Sequence, residues 1–443
     1  MRTSQTRTML RMRVRPVRFM LTLMDAATTL APLIEGLLGG SVPFRVEFWD
    51  GSTLGPDGSQ ATVLVRSQRA LRWLVTAPGE LGLARAYVSG DIDVEGDLEV
   101  VLAVGDGRGD LRLGARGWAE AARALAVSGA LRPLRLQPPS EEARLRGRRH
   151  SRGRDAAAIS HHYDISNDFY RLVLGPALTY SCAYFSSPNA TLEDAQADKH
   201  ELICRKLRLQ PGERMLDVGC GWGTLAIHAA SRFGVHVVGV TLSGPQADLA
   251  AKRVAEAGVA DRVTIRVQDE RDVDDGPYDA IASVGMFEHV GAERLAEYFA
   301  HLRELLRPQG RLLNHGISKP PGTSARFGRR TFIDRYVFPD GELHEVGDVI
   351  SVMQRSGLEV RDVESLREHY ALTLRRWVAN LEANREEAVA LVGEGRYRVW
   401  RLYMSGAARN FELGKTQVHQ ALAVRSDDGV SGIPLRRGDT VLP

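Results

Sequence analysis

Between Arg214 and Ser318 the chain alternates short apolar runs with amphipathic helices, and this alternation limits the fold more than any other feature. The runs are RMLDVGCGWG (214–223), VHVVGVTLS (235–243), RVTIRVQD (262–269), YDAIASVGM (278–286) and GRLLNHGIS (310–318). Helical patterns lie between them: TLAIHAASRFG, closed by Gly234, then PQADLAAKRVAEAG and AERLAEYFAHLRELL. Strands alternating with helices of this length predict an α/β fold with a doubly wound, mostly parallel sheet. The runs are continuously apolar, as expected of strands covered on both faces. Two further helices are expected, over about 370–391 and 396–410.

A length of 443 residues predicts two domains. Upstream of residue 137 the text reads differently. PFRVEFWDG and ATVLVRS are strand-like, RALRWLVTA is helical, and GWAEAARALAVSGALRPLR (117–135) also looks helical. The expected organisation is a basic arm (1–18), a small α+β domain (19–136), a Pro/Arg-rich linker (137–155), the α/β domain (156–424) and a flexible tail (425–443). Net charge is only +3, but Arg2, Arg7, Arg11, Arg13, Arg15 and Arg18 crowd the arm, and six more arginines fall in RLRGRRHSRGR, 144–154. Such runs favour anionic partners, phospholipid or nucleic acid, or else form a solvated arm. Phe19–Leu38 is the best candidate for a membrane span. Asp25 and Glu35 interrupt it, so an amphipathic surface helix is expected instead. It also lacks the pattern of a signal peptide. Three cysteines (182, 204 and 220) make no disulfide framework, which points to a reducing cytosol.

The first strand-to-helix turn, DVGCGWG, carries Asp217, Gly219, Gly221 and Gly223. Glycines there allow a tight turn and close approach of a ligand to the backbone. Asp217 is expected to order the loop by accepting backbone N–H bonds. The dinucleotide fingerprint G-x-G-x-x-G is not met, since Thr224 stands at its last position. The pattern is closer to the nucleoside loop of S-adenosylmethionine (SAM) enzymes. No acid ends the second strand to hold ribose hydroxyls; Thr241, Ser243 and Gln246 stand there, and Asp269-Glu270 end the third strand.

SVGMFEHVG (283–291) raises a different question. It places Glu288 and His289 where the fourth strand should end. A buried charge is costly unless paired, yet the C-terminal strand edge is where open α/β sheets bind ligands. The plain alternative makes Glu288 a cap for a helix starting near Gly291. Taken alone, Cys182 would be a small buried hydrophobe and His315 a satisfied core histidine. The cysteines lack zinc spacing, so no metal site is expected.

With these residues assembled, the chain resembles the cyclopropane-fatty-acid synthase family, which includes the mycolic acid cyclopropane synthases. The similarity spans about 160–420 and rests on HHYDISNDFY (161–170), LTYSCAYF (178–185), LDVGCGWG (216–223), GVTLSGPQ (239–246), SVGMFEHVG (283–291), FIDRYVFPDGEL (332–343) and HYALTLRRW (369–377). The N-terminal part more weakly resembles the small lipid-carrier-like domain of phospholipid-acting members. The resemblance implies a Rossmann-like SAM methyltransferase behind a smaller α+β domain. It implies methyl transfer from SAM to a cis double bond of a phospholipid acyl chain, a carbocation, and bicarbonate as the base that removes a proton. Carried over by motif, Cys182 (through its backbone), Glu288, His315, Ile317 (through its backbone) and Tyr370 hold the ion. Tyr180, Ser181, Gly219, Gly221, Thr241 and Gln246 contact SAM with Asp217, and Asp269 or Glu270 lies near the adenine. His289 is left to bond backbone or SAM. Two departures stand out: the family's LLH-T-I becomes Asn314-His315-Gly316-Ile317, and its LPS becomes Leu343-His344-Glu345.

The chemistry asks for these residue types. An alkene is a poor nucleophile, so the site must align and desolvate it. Aromatic faces stabilise a cation without trapping it; Tyr163, Phe169, Tyr184, Phe287, Phe332 and Tyr336 are candidates. No side chain in the set is an obvious general base, which suits a captured bicarbonate. The close alternative loses its proton elsewhere on the chain and gives a methylene-branched product, for which a partner reductase is implied. The expected setting is cytoplasmic, peripheral to the inner membrane face through the arginine runs, with a homodimer implied by the family. Two rivals remain: a lipid-binding protein that kept a methylase fold, and a nucleic-acid methylase. The latter lacks an N/D-P-P-Y/F motif, and no nucleic acid partner is expected.

Overall fold

The computed structural model describes residues 25–106, 136–145, 147–163, 165–323 and 331–436; the side chains of residues 37, 156, 160, 161 and 163 are outside that description. The basic arm, the helix expected over 117–135 and the Tyr163 side chain therefore lie outside the described residues. The chain forms two compact units, Met1–Gln137 and Pro138–Pro443.

In the first unit four strands, β1 (Arg45–Phe48), β2 (Thr53–Leu54), β3 (Ala61–Val65) and β4 (Ile92–Gly96), form a sheet in the order β2-β1-β3-β4. Helices Ala26–Leu38, Arg69–Thr76, Glu80–Val88 and Leu98–Ala103 accompany it. Asp25, which broke the apolar run in the sequence, caps the first helix by accepting from the Thr28 N–H at 2.7 Å. Asp91 gathers the Ser67 and Ser89 hydroxyls and the Trp73 indole N–H, so this small core is pinned around one buried acid. No helix among the described residues is long and apolar enough to cross a membrane.

The second unit is the expected mostly parallel sheet. Strands β5 (Arg214–Val218), β6 (His236–Thr241), β7 (Val263–Val267), β8 (Tyr278–Val284) and β9 (Leu306–Lys319) run parallel in the order β7-β6-β5-β8-β9. Helices 192–206, 224–233 and 244–256 bury Ile203, Leu225, Ala229 and Val254 against one face. Helices 295–305 and 346–355 bury Phe299, Leu302 and Met353 against the other. The chain winds outward from β5 to β7 and returns to β8 beside β5, so the strand order reverses between β5 and β8, the place where such sheets take ligands.

Three findings depart from the sequence reading. Three strands were not anticipated: β10 (His344–Glu345), a short strand parallel to the end of β9, and β11 (Glu359–Ser365) and β12 (Gln417–Val424), which extend the sheet beyond β9 antiparallel to their neighbours. β11 is an edge strand rich in charge, so it carries no apolar run to detect. The two late helices span Arg367–Ala383 and Arg385–Glu412, with a kink at Gly393. The stretch expected as a linker packs on this second unit from Pro138 onward. There Ala143 N–H donates to the Arg335 carbonyl at 2.7 Å and Glu142 is buried.

Candidate active site

The glycine loop after β5 forms as expected. Gly219, Gly221 and Gly223 all adopt positive φ (77°, 54° and 76°), which lets three turns of direction fit in five residues. Asp217 does not order that loop. The N–H groups of Gly219 and Cys220 both donate to the Val240 carbonyl of β6, at 3.0 and 2.9 Å. The Asp217 carboxylate is buried instead, with Oδ2 lacking any partner among the described residues, and burial pushes it up to about 7. Tyr180, Ser181, Asp217, Gly219, Gly221, Thr241, Gln246 and Glu270 line one pocket, joined by Lys199, His200 and His289. The Thr241 hydroxyl donates to Gln246 Oε1 at 2.9 Å, fixing both. Of the expected acidic pair, Glu270 faces the pocket and rises to about 7 through burial and the charge of Asp269. Asp269 turns away: its oxygens take the Arg271 guanidinium at 2.7 and 2.6 Å. Asp217 lies near the end of β5 and Glu270 just past β7, strands two places apart and so roughly 10 Å at ordinary spacing. A pocket with a carboxyl group on each side of a glycine loop fits the polar ends of a nucleoside bearing an amino acid.

The Glu288 question has a structural answer. β9 outruns β8: Val284 pairs with His315, and the chain then leaves through Gly285 into a one-turn helix, Phe287–His289. Ile317 N–H thus points to where β8 has ended, and the Glu288 carboxylate takes that place, accepting at 2.7 Å through Oε1. Glu288 does not cap the following helix. Burial pushes it up to about 7, and Oε2 is buried without a partner among the described residues.

His315 lies two residues back on the same strand. Burial and the nearby Lys199 and Lys206 charges push it down to about 3, so the ring is neutral. The Gln420 amide donates to Nδ1 at 3.2 Å across the strand pair, leaving the ring proton on Nε2, which meets no acceptor among the described residues.

Cys182 and Tyr370 reach this region through Leu366. Val418 pairs with Ile317 in β12 and accepts from Leu366 N–H at 2.9 Å. The Leu366 carbonyl in turn receives Tyr370 N–H at 3.0 Å and lies 3.6 Å from Cys182 Sγ. Ala183 N–H donates to Thr373 Oγ1 at 3.0 Å, one helical turn from Tyr370. Cys182 itself is fully buried, its thiol pushed up by burial, and its own N–H meets no acceptor among the described residues. The five expected positions are thus connected through β9, β12 and Leu366, and Cys182, Glu288 and His315 are buried there. Tyr370 is held there by its ring, packed 4.7 Å from Phe411.

The arginine-rich stretch has an inward task. Arg149 and Arg154 pair with Asp340, Arg149 also with Glu342, and Arg152 with Asp272. Glu342 N–H donates to the Glu288 carbonyl at 3.0 Å, and its carboxylate accepts from Ala292 N–H at 2.9 Å. The arginines therefore brace the loop that braces Glu288. Burial would push Asp340 up, but the Arg154 and Arg149 guanidiniums hold it below its ordinary value. Asp340→Asn is expected to destabilise the protein by roughly 1–3 kcal/mol. Urea melts should show it, with turnover falling more than cofactor affinity; an unchanged melt would remove the brace.

Sequence reasoning missed Lys199 and His200, because a helix pattern gives no sign that its inward face is polar. It also missed the aromatic cluster around Tyr180, formed by His162, Tyr170, Trp377 and Trp400 at 5.2–5.8 Å. The proposed aromatic candidates do not form one cage: Phe169 packs on Trp400, Tyr184 on His369, Phe287 near His344, and Phe332 on Tyr336.

Residues 150–421 match the family described as mycolic acid cyclopropane synthetase. A probable fatty acid methyltransferase of Mycobacterium tuberculosis is 45% identical over 409 residues, covering 90% of this chain and 95% of the relative. Another, of Pseudomonas putida, is 42% identical over 416 residues, covering 93% and 99%. Among solved structures, a mycolic acid cyclopropane synthase complexed with SAH and CTAB is 38% identical, covering 61% of this chain and 98% of that one, with a TM-score of 0.58.

Proposed function

The chain belongs to the mycolic acid cyclopropane synthetase family and is a SAM-dependent methyltransferase acting on lipid, and from that premise we propose that it methylates the cis double bond of an unsaturated phospholipid acyl chain and closes a cyclopropane ring. The observation that carries this reading is at the sheet edge, where Glu288 Oε2 and His315 Nε2 are buried without partners among the described residues. Full-length similarity to relatives described as fatty acid methyltransferases favours a fatty acyl substrate.

When bound, SAM supplies an electrophilic methyl group and bicarbonate a base that does not trap a cation. The chain's own residues fit both. Asp217, the glycine loop, Thr241, Gln246 and Glu270 would hold the methyl donor. The Cys182 N–H and the His315 Nε2–H are donors suited to a small anion, and Glu288 Oε2 can accept a hydroxyl from it. Ile317 fixes Glu288 in that orientation. The neutral His315 adds a hydrogen bond without adding a proton source, and burial of the whole cluster keeps water from the cation. Contact with an anionic membrane surface falls to the N-terminal arm and to arginines outside the brace.

Incubation with SAM and vesicles of monounsaturated phosphatidylglycerol is expected to give acyl chains one CH2 heavier. Proton NMR of the isolated ester should show high-field ring methylene signals. Vinylidene signals would replace the ring with a methylene branch, the second product this chemistry allows. Turnover should fall in buffer stripped of CO2 and return with added bicarbonate; no response would remove the ion.

A further inference from the structure

We propose that Lys199 receives the α-carboxylate of the methyl donor while Asp217 takes its α-amino group, so that the pocket reads the amino-acid end of its ligand as a zwitterion. This rests on the reading of the pocket as a SAM site.

Lys199 sits on helix 192–206, whose inward face is unusually polar: Gln196, Lys199, His200 and Lys206 are all buried. A lysine in such a place is costly, and an apolar residue of similar size would pack as well at lower cost. Anchoring the Tyr180-Ser181 segment does not explain it. Gln196 already does so, donating to the Thr179 and Ser181 carbonyls at 3.3 and 3.0 Å. The Lys199 ammonium has three donors. One goes to Ser181 Oγ at 2.9 Å and one to His200 Nε2 at 3.2 Å, where burial keeps the imidazole neutral and able to accept. The third has no protein acceptor among the described residues. Asp217 Oδ2 lines the same pocket, also without a partner among the described residues.

Among the described residues no ion pair joins these two groups, although each feels the charge of the other. Burial pushes Lys199 down to about 7 and Asp217 up to about 7, so neither is settled as a charge by the protein alone. A ligand bearing one carboxylate and one ammonium supplies the missing partner of each. A neutral or singly charged nucleoside would leave at least one of them uncompensated.

The test compares two probes by calorimetry: SAH, which has the amino-acid end, and 5′-methylthioadenosine, which lacks it. Lys199→Met is expected to weaken SAH by about 10- to 100-fold, the value of a lost charged hydrogen bond, and to leave methylthioadenosine unchanged. Lys199→Gln, which keeps a donor for Ser181 without the charge, should show the same selective loss. Equal losses for both probes would make Lys199 a structural prop, and unchanged SAH affinity would also overturn the assignment. A wild-type protein that binds methylthioadenosine and SAH equally would overturn the zwitterion reading alone, whereas one that binds neither would overturn the SAM site itself.

Discussion

Glu288→Gln is expected to lower turnover by about 10²- to 10⁴-fold while SAH affinity holds. The amide keeps an oxygen for Ile317 N–H but turns an NH2 toward the buried cluster, where the carboxylate offered an acceptor. Unchanged turnover would take Glu288 out of the mechanism. The same variant carries a second, independent signature. Burial lifts this carboxyl from 4.5 in the unfolded chain to about 7 in the folded one. Between those values the folded protein holds a proton that the unfolded chain has released, so this group makes stability fall as pH rises through the window. The penalty is absent below 4.5 and complete above about 7, where it amounts to roughly 3 kcal/mol. Glutamine does not titrate. The variant should therefore match the wild type in urea melts at pH 4 and exceed it at pH 8. Comparing the two proteins cancels the opposing titrations of His315 and His289. A gap that does not widen with pH would mean that Glu288 is solvated or paired in solution.

Gly316→Thr should be nearly as damaging, by a steric route. A Cβ built at Gly316 would lie 1.8 Å from Cε1 and 2.4 Å from Cδ1 of Phe287. The ring occupies the space that a side chain at 316 would need, and it belongs to the short turn that carries Glu288. A threonine here must push Phe287 aside and pull Glu288 from the Ile317 N–H. A loss of about 1–3 kcal/mol is expected from the overpacking, with turnover reduced more than tenfold. Phe287→Ala introduced together with Gly316→Thr should recover part of the stability, giving a coupling well outside additivity in a double-mutant cycle. Additive losses would show that the two positions do not compete for the same space.

The sheet was legible because β5, β6, β8 and β9 are buried on both faces, so burial itself writes the apolar runs. β11 and β12 escaped for the opposite reason. The first carries Glu359, Arg361, Asp362 and Glu364 at an edge, and in the second, which starts just past the helix stop at Gly414, His419 and Gln420 interrupt the apolar run. At the site, motif position located the residues but not their partners. Asp217 and Asp269 looked alike as acids at strand ends. Only tertiary packing decides that one is left bare in the pocket and the other is consumed by Arg271. Lys199 left no trace, since a lysine within an amphipathic helix reads as surface until the helix is docked. The arginine stretch hid these pairings in the same way: a charge run shows its sign, but not whether Asp340 and Glu342 wait for it.

The attachment of Glu288 to Ile317 has a consequence for how variation at the two positions should be interpreted. The donor is a main-chain amide that every residue except proline possesses. Position 317 can therefore drift among side chains of suitable volume without any change in the chemistry it supports. Its identity in another protein records packing, whereas the contribution to the site is carried by the course of the backbone. Redesign around this site has freedom at 317 that it does not have at 288 or 316.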